Sequence, residues 1–479
     1  MAHLPLIRGG RSYRSLEVRT LRDVRDGSPV AQISQASPGM ISRDLLQVAD
    51  HRRVIEGFST RELVEICQRA AVHFAESDLP LGDDGITQSP DQYAQQLAAT
   101  TGMPVAMGKA NMVKIVHVLE NMEAMLGGLT RGLDLDILDA GWGVQGERKL
   151  SYLRQAESLG VVLPNNSPGV HTLWLPALPL KTPLVLRPGS SEPWTPYRVI
   201  QAFLAAGAPA QAFSFYPSSR EAGNTLLSKT DRSMIFGDAS TVERWERDLT
   251  VQAHGPGWSK VILGPDAADS WEEHLDLMVQ SAAANGGRSC INSSGVWTTA
   301  HGRTVAEAMA QKLARVQAKG LDDPSAELAA FADPQVARWI SDKIDEDLAS
   351  GGAVDLTALA RAEAGLDPSR VATAGGCTFL LPTVIWCESP DHPLARSEYG
   401  FPFCSVVEVP KEELLDSLGY TLVGTLISED EALRRETLSS DHVDRLNLGP
   451  IPTYKIAWDQ PHEGNLFDHL YKQRAIQAA

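Results

Sequence analysis

The spacing of apolar positions changes character once along this chain, near Ala156. Before it the period is helical. Leu63, Ile66, Cys67, Ala70, Ala71 and Phe74 recur at helical spacing behind Ser59 or Thr60, either of which can cap the first turn. A second helix is predicted from Ser89-Pro90, with serine as cap and proline in the first turn. A third carries Ile115, Leu119, Met122 and Leu126 and stops at Gly127-Gly128. Residues 1–40 read instead as short strands and turns, with Leu16-Glu17-Val18 and Val30-Ala31-Gln32-Ile33 flanking Arg25-Asp26-Gly27.

After Ala156 short apolar runs alternate with helical patterns. Leu159–Leu163, Leu184–Leu186, Ala212–Tyr216 and Met234–Phe236 read as buried strands, and helices fill the intervals. Ser240 and Glu243 are spaced as a capping box for the helix after the last of them. Strands alternating with helices predict an α/β chain with a parallel, doubly wound sheet. Such sheets bind ligands beyond the carboxyl ends of their strands. The loops after Leu163, Leu186 and Phe236 are therefore the candidate dinucleotide contacts, although no GxGxxG is present. A second αβ stretch starts at Lys260-Val261-Ile262-Leu263, and a long helical tract is predicted from Arg303 to Gly320.

With 479 residues, two or three domains are expected. The 43 basic and 60 acidic side chains leave a net charge of −17, which argues against nonspecific nucleic-acid binding. An anionic ligand would therefore need a local cluster of donors. The five cysteines include no CxxC pair, a poor basis for disulfides or zinc and a pattern that fits a reducing cytoplasm. No apolar run is long enough for a signal peptide or a membrane span.

The stretch Asn285-Gly286-Gly287-Arg288-Ser289-Cys290 combines backbone freedom with a nucleophile. Were a helix to begin there, its dipole would favour the Cys290 thiolate. Around it, five segments in order resemble the aldehyde dehydrogenase superfamily over Leu16 to Leu448. Pro164-Asn165-Asn166-Ser167-Pro168 resembles the turn that carries the oxyanion-hole asparagine, here Asn166. Arg187-Pro188-Gly189-Ser190 resembles the segment that grips the adenosine ribose, and Phe236-Gly237-Asp238 the turn beneath the pyrophosphate. Gly286 to Cys290 resembles the nucleophile loop. Glu398-Tyr399-Gly400-Phe401-Pro402 resembles the segment whose glutamate binds the nicotinamide ribose.

The resemblance implies a Rossmann-like cofactor domain (1–130 and 156–253) and an αβ catalytic domain (254–444). Bridging and oligomerisation elements (131–155 and 445–479) would support a homodimer or homotetramer. It implies Cys290 and Asn166 as catalytic residues, with Pro164, Arg187, Ser190, Gly237 and Glu398 at the cofactor. Hydrolytic members place a glutamate base where this chain reads His254-Gly255-Pro256-Gly257-Trp258. That loss is shared with coenzyme A-linked reductases, and the wording of Leu163–Val170 and Pro461–Leu466 looks closest to luminescence-type acyl-CoA reductases. The implied activity is reversible NAD(P)H-dependent reduction of an acyl-CoA to an aldehyde. Hydrolytic aldehyde oxidation and a non-catalytic nucleotide-binding scaffold are the alternatives. His254 is either a base or a histidine capping the preceding helix. Ser190 and Arg187 in place of Glu and Lys favour NADP over NAD, because a guanidinium can hold a 2′-phosphate bidentately. Asp238 in place of a glycine fits either cofactor poorly.

Overall fold

A computed structural model describes residues 1–477, so the last two residues of the 445–479 element lie outside the described residues. The helical first part is held by burial of its predicted stripes. In the helix Thr60–Glu76, Leu63, Ile66, Cys67, Ala70 and Phe74 are at most 2% exposed. Each large apolar side chain so buried contributes roughly 1.5–3 kcal/mol. Ser59 and Glu62 close a capping box at its start, and Ser89 and Gln92 close another on the helix Pro90–Thr101.

Two seven-stranded sheets carry the rest. The first runs Val251–His254, Arg232–Phe236, Leu159–Val162, Leu184–Arg187, Phe213–Phe215, Leu6–Arg8, Arg11–Tyr13. Its first five strands are parallel and the last two antiparallel. The chain moves from Leu159–Val162 outward through Leu184–Arg187 and Phe213–Phe215, then returns to Arg232–Phe236 on the other side. The loops leaving Leu159–Val162 and Arg232–Phe236 therefore part from each other, which opens a crevice at their carboxyl ends.

The second sheet runs Ala353–Asp355, Thr383–Cys387, Phe403–Glu408, Gly295–Thr298, Lys260–Leu263, Thr421–Ile427, Val443–Leu448. Only Ala353–Asp355 is antiparallel to its neighbour. Gly295–Thr298 and Lys260–Leu263 are buried along their whole length, as both faces of a parallel sheet require. Strand Val443–Leu448 carries this sheet past residue 444, while His254 ends the last strand of the first sheet. Trp142–Gln145, Arg148–Arg154 and Tyr471–Gln473 form a separate antiparallel sheet.

Some local expectations differ from the structure. The helix predicted to run to Gly320 is Gly302–Leu313. The cap of the turn after Phe236 is Asp238, whose Oδ1 accepts the Thr241 N–H and the Ser240 hydroxyl, both at 2.8 Å. Ser240 and Glu243 form no capping box there, because the helix is the single turn Ala239–Val242. Among the described residues no helix is long and apolar enough to cross a membrane.

Candidate active site

Cys290 lies between the sheets, on a loop that enters strand Gly295–Thr298. No helix begins at it, so no helix dipole acts on the sulfur and the expected dipole stabilisation is absent. The loop is instead shaped by three successive left-handed residues, Asn285, Gly286 and Gly287, at φ 54°, 64° and 67°. At Gly287 a Cβ would lie 2.3 Å from the Phe401 carbonyl carbon, so glycine is required for space as well as for φ. Burial pushes the Cys290 thiol well above its ordinary range, and the carboxylates of Glu463 and Glu398 add to the effect.

A side-chain network, unforeseen from the sequence, ties this loop to the turn that carries Asn166. Asn285 Nδ2 donates to the hydroxyls of Ser167 and Ser289, both at 3.1 Å. Asn111 Nδ2 donates to Asn285 Oδ1 at 2.8 Å, and Asn111 Oδ1 accepts from Ser167 Oγ and Lys114 Nζ, both at 3.2 Å. A helix of the first part thus sets the relation of nucleophile loop to oxyanion turn. Asn166 Oδ1 accepts the Ser167 N–H at 2.8 Å, which leaves Nδ2 without a protein acceptor among the described residues. Asn166 and Cys290 line the same cavities.

One of these is a cleft of about 780 Å³ at the crevice of the first sheet. All five residues expected at the cofactor (Pro164, Arg187, Ser190, Gly237 and Glu398) stand in its wall. Asn165 joins two of its loops, accepting the Ser191 N–H at 2.6 Å and donating to Ser190 Oγ at 3.4 Å. Arg187 donates to the Ser218 carbonyl at 3.1 Å, while its Nε is buried without a partner. Arg19 donates to the Ser190 carbonyl, and its Nε is likewise unpartnered. Burial lowers the Arg187 guanidinium, and its cationic neighbours Arg19 and Arg220 lower it further. Arg19 and Arg220 thus stand near Arg187 with no carboxylate acting on it, and Arg187 and Arg220 line the cleft. Asp238 is in the cleft, but Thr241 and Ser240 engage its Oδ1, and these bonds hold its carboxyl below the usual range. Glu398 accepts the N–H groups of Gly257 at 3.2 Å and Trp258 at 2.5 Å. Desolvation outweighs both bonds and pushes Glu398 up to about 7.

The second cavity, about 110 Å³, opens on the other side of Cys290. Val170, Leu173, Ile291, Tyr454, Ile456 and Trp458 make it largely apolar. His254 stands in its wall as a strand residue, so the helix-capping role is excluded. Its Nδ1 pairs with Glu463, which the sequence reading did not single out, and its ring stacks on Phe236 at 4.4 Å and 11°. The cleft thus carries cationic side chains, the cavity is largely apolar, and Cys290 lines both.

Residues 82–438 match the sequence profile of the aldehyde dehydrogenase family. Comparison with curated proteins finds no match. Among solved structures the fold is similar to a 3,6-anhydro-L-galactose dehydrogenase in complex with NAP, at 14% identity and TM-score 0.77 over 98% of this chain and 99% of that one. It is also similar to a NAD-dependent benzaldehyde dehydrogenase from Corynebacterium glutamicum, at 15% identity and TM-score 0.76 over 98% and 97%. A third is the 1-pyrroline-5-carboxylate dehydrogenase of Thermus thermophilus, at 17% identity and TM-score 0.76 over 99% and 92%.

Proposed function

The chain belongs to the aldehyde dehydrogenase family, oxidoreductases that act on aldehydes with NAD(P), and on that premise we propose that it reduces acyl-CoA thioesters to aldehydes with NADPH. The observation that carries this reading is the imidazole of His254 in the cavity wall beside Cys290, where hydrolytic members place a carboxylate base.

The residues divide the chemistry as follows. Cys290 Sγ adds to the thioester carbonyl carbon while its proton passes to His254 Nε2. Asn166 Nδ2 and the Cys290 N–H hold the oxyanion, each worth roughly 3–4 kcal/mol in such a site. The bond from carbon to the coenzyme A sulfur breaks, His254 returns the proton to that sulfur, and the acyl group remains on Cys290 as a thioester. NADPH, when bound, supplies the two electrons that take the acyl group to the aldehyde level. Departure of Cys290 as thiolate then frees the aldehyde.

The cleft fits NADPH on two grounds. Arg187 in its wall keeps a buried nitrogen without a partner, and Ser190 removes the carboxylate that would repel a 2′-phosphate. Pro164, Gly237 and Glu398 would line the remainder of the cofactor. In the separate antiparallel sheet, the edge strand Trp142–Gln145 exposes Trp142 and Val144, which supports self-association as a homodimer or homotetramer.

Hydrolytic oxidation is the second reading, favoured by the carboxylate behind His254, which would also suit an imidazole that activates water. A panel of acyl-CoA esters, followed by consumption of NADPH or NADH, separates the two. Thioester-dependent consumption, faster with NADPH, supports reduction. Acid formation from aldehyde at full rate without coenzyme A would replace it with hydrolysis.

A further inference from the structure

We infer that Glu463 is a positioning residue of this active site: it holds Nδ1 of His254, so that Nε2 is the nitrogen left unpaired in a side chain that lines the cavity with Cys290. The inference rests on the proton-carrying role given to His254 above and extends the active site into the segment that follows the second sheet.

Both partners are buried, with side-chain exposures of 2% for His254 and 7% for Glu463. His254 Nε2 is buried and has no partner, in a wall shared with Cys290 and Asn166. A buried polar atom left unpaired costs about 1–3 kcal/mol, so a ligand that bonds Nε2 recovers that cost. The stack on Phe236 fixes the plane of the ring, and Glu463 fixes its rotation within that plane. A carboxylate on Nδ1 selects the tautomer whose basic nitrogen is Nε2.

The chain around Glu463 is constrained to aim its carboxylate inward. Glu463 adopts φ 45° and Gly464 φ 105°. A non-glycine residue in left-handed backbone costs on the order of 1–3 kcal/mol and persists where its surroundings impose it. Arg445 supplies part of that constraint by donating to the carbonyls of Pro461 and Ala457. Asn465 supplies the rest by donating to the Leu129 carbonyl at 2.8 Å. Other titratable groups near the ring include Lys114, Cys290, Tyr454 and His462 in the cavity wall and His469, with Tyr420 near Glu463 and Arg445 near His462. Glu463 is the group that hydrogen-bonds the ring.

The test is a double-mutant cycle of Glu463→Gln and His254→Ala. It is measured on whichever thioester or aldehyde the unaltered enzyme turns over, so it remains readable if acyl-CoA reduction itself fails. Glu463→Gln should lower kcat on the order of 10²-fold with KM within about threefold. It should add no further loss in the His254→Ala background. Alkylation of Cys290 by iodoacetamide at pH 8 should be undiminished or faster. Glu463 raises the Cys290 thiol, so removing its charge lowers the thiol and increases the thiolate fraction. Any of three results would overturn the inference: kcat retained within threefold, a further tenfold loss in the His254→Ala background, or a parallel fall of NADPH binding and alkylation.

Discussion

The cleft and the cavity that meet at Cys290 are built on opposite plans. The cleft, about 780 Å³, is walled by loops at the carboxyl ends of parallel strands and carries several guanidinium groups, of which Arg187 has an unpaired nitrogen. The cavity, about 110 Å³, is walled by side chains from distant segments, among them the helix of Lys114, the turn of Val170 and Leu173, His254 and residues 454–463. Pro164, Asn166, Phe236, Gly237 and Cys290 belong to both walls. On the proposed mechanism the difference divides selectivity: charge would select the cofactor in the cleft, shape the acyl group in the cavity, and the shared residues together with His254 would touch the reaction.

The shared wall should give the largest effect. Asn166→Ala removes an oxyanion donor and should lower kcat by roughly 10²–10³-fold on every substrate, with NADPH affinity unchanged. An effect that varied with acyl length would move Asn166 from the junction into the cavity. On the cleft side, Arg187→Ala should weaken NADPH by roughly 10–100-fold, the value of a charge-assisted hydrogen bond, and leave NADH within about threefold. Equal losses for both, read by fluorescence titration, would mean that the cation cluster does not hold the 2′-phosphate. On the cavity side, Ile456 lines both the 110 Å³ space and a further cavity of about 50 Å³. Ile456→Ala should raise kcat/KM for octanoyl-CoA over butyryl-CoA by about tenfold, with cofactor binding untouched. A ratio that stayed fixed would place the acyl chain elsewhere.

The same contrast explains what could be read in advance. The four central parallel strands of the first sheet and the loops after Leu163, Leu186 and Phe236 were legible because apolar period and strand order act locally and fix where a parallel sheet binds its ligand, whereas most strands of the second sheet were not read individually. Arg187 and Ser190 announced themselves by departing from a familiar segment. Glu463 did not, because its pairing with His254 closes over 209 residues and depends on a left-handed residue that no period marks. The environment of Cys290 was misread for a related reason. A glycine pair before a cysteine suits a helix start or a loop into a strand equally well, and the choice is made by packing of Gly287 against Phe401. Asn111 drew no notice in the sequence, yet it is fully buried and joins the nucleophile loop to the oxyanion turn.

The most direct measurement is the intact mass of the protein after incubation with an acyl-CoA ester and no NADPH. The wild-type chain should gain one acyl group, mapped to Cys290 and discharged as aldehyde when NADPH is added, and Cys290→Ala should gain none. An acyl group that maps to another residue, or turnover by Cys290→Ala at a rate near that of the wild type, would contradict the account.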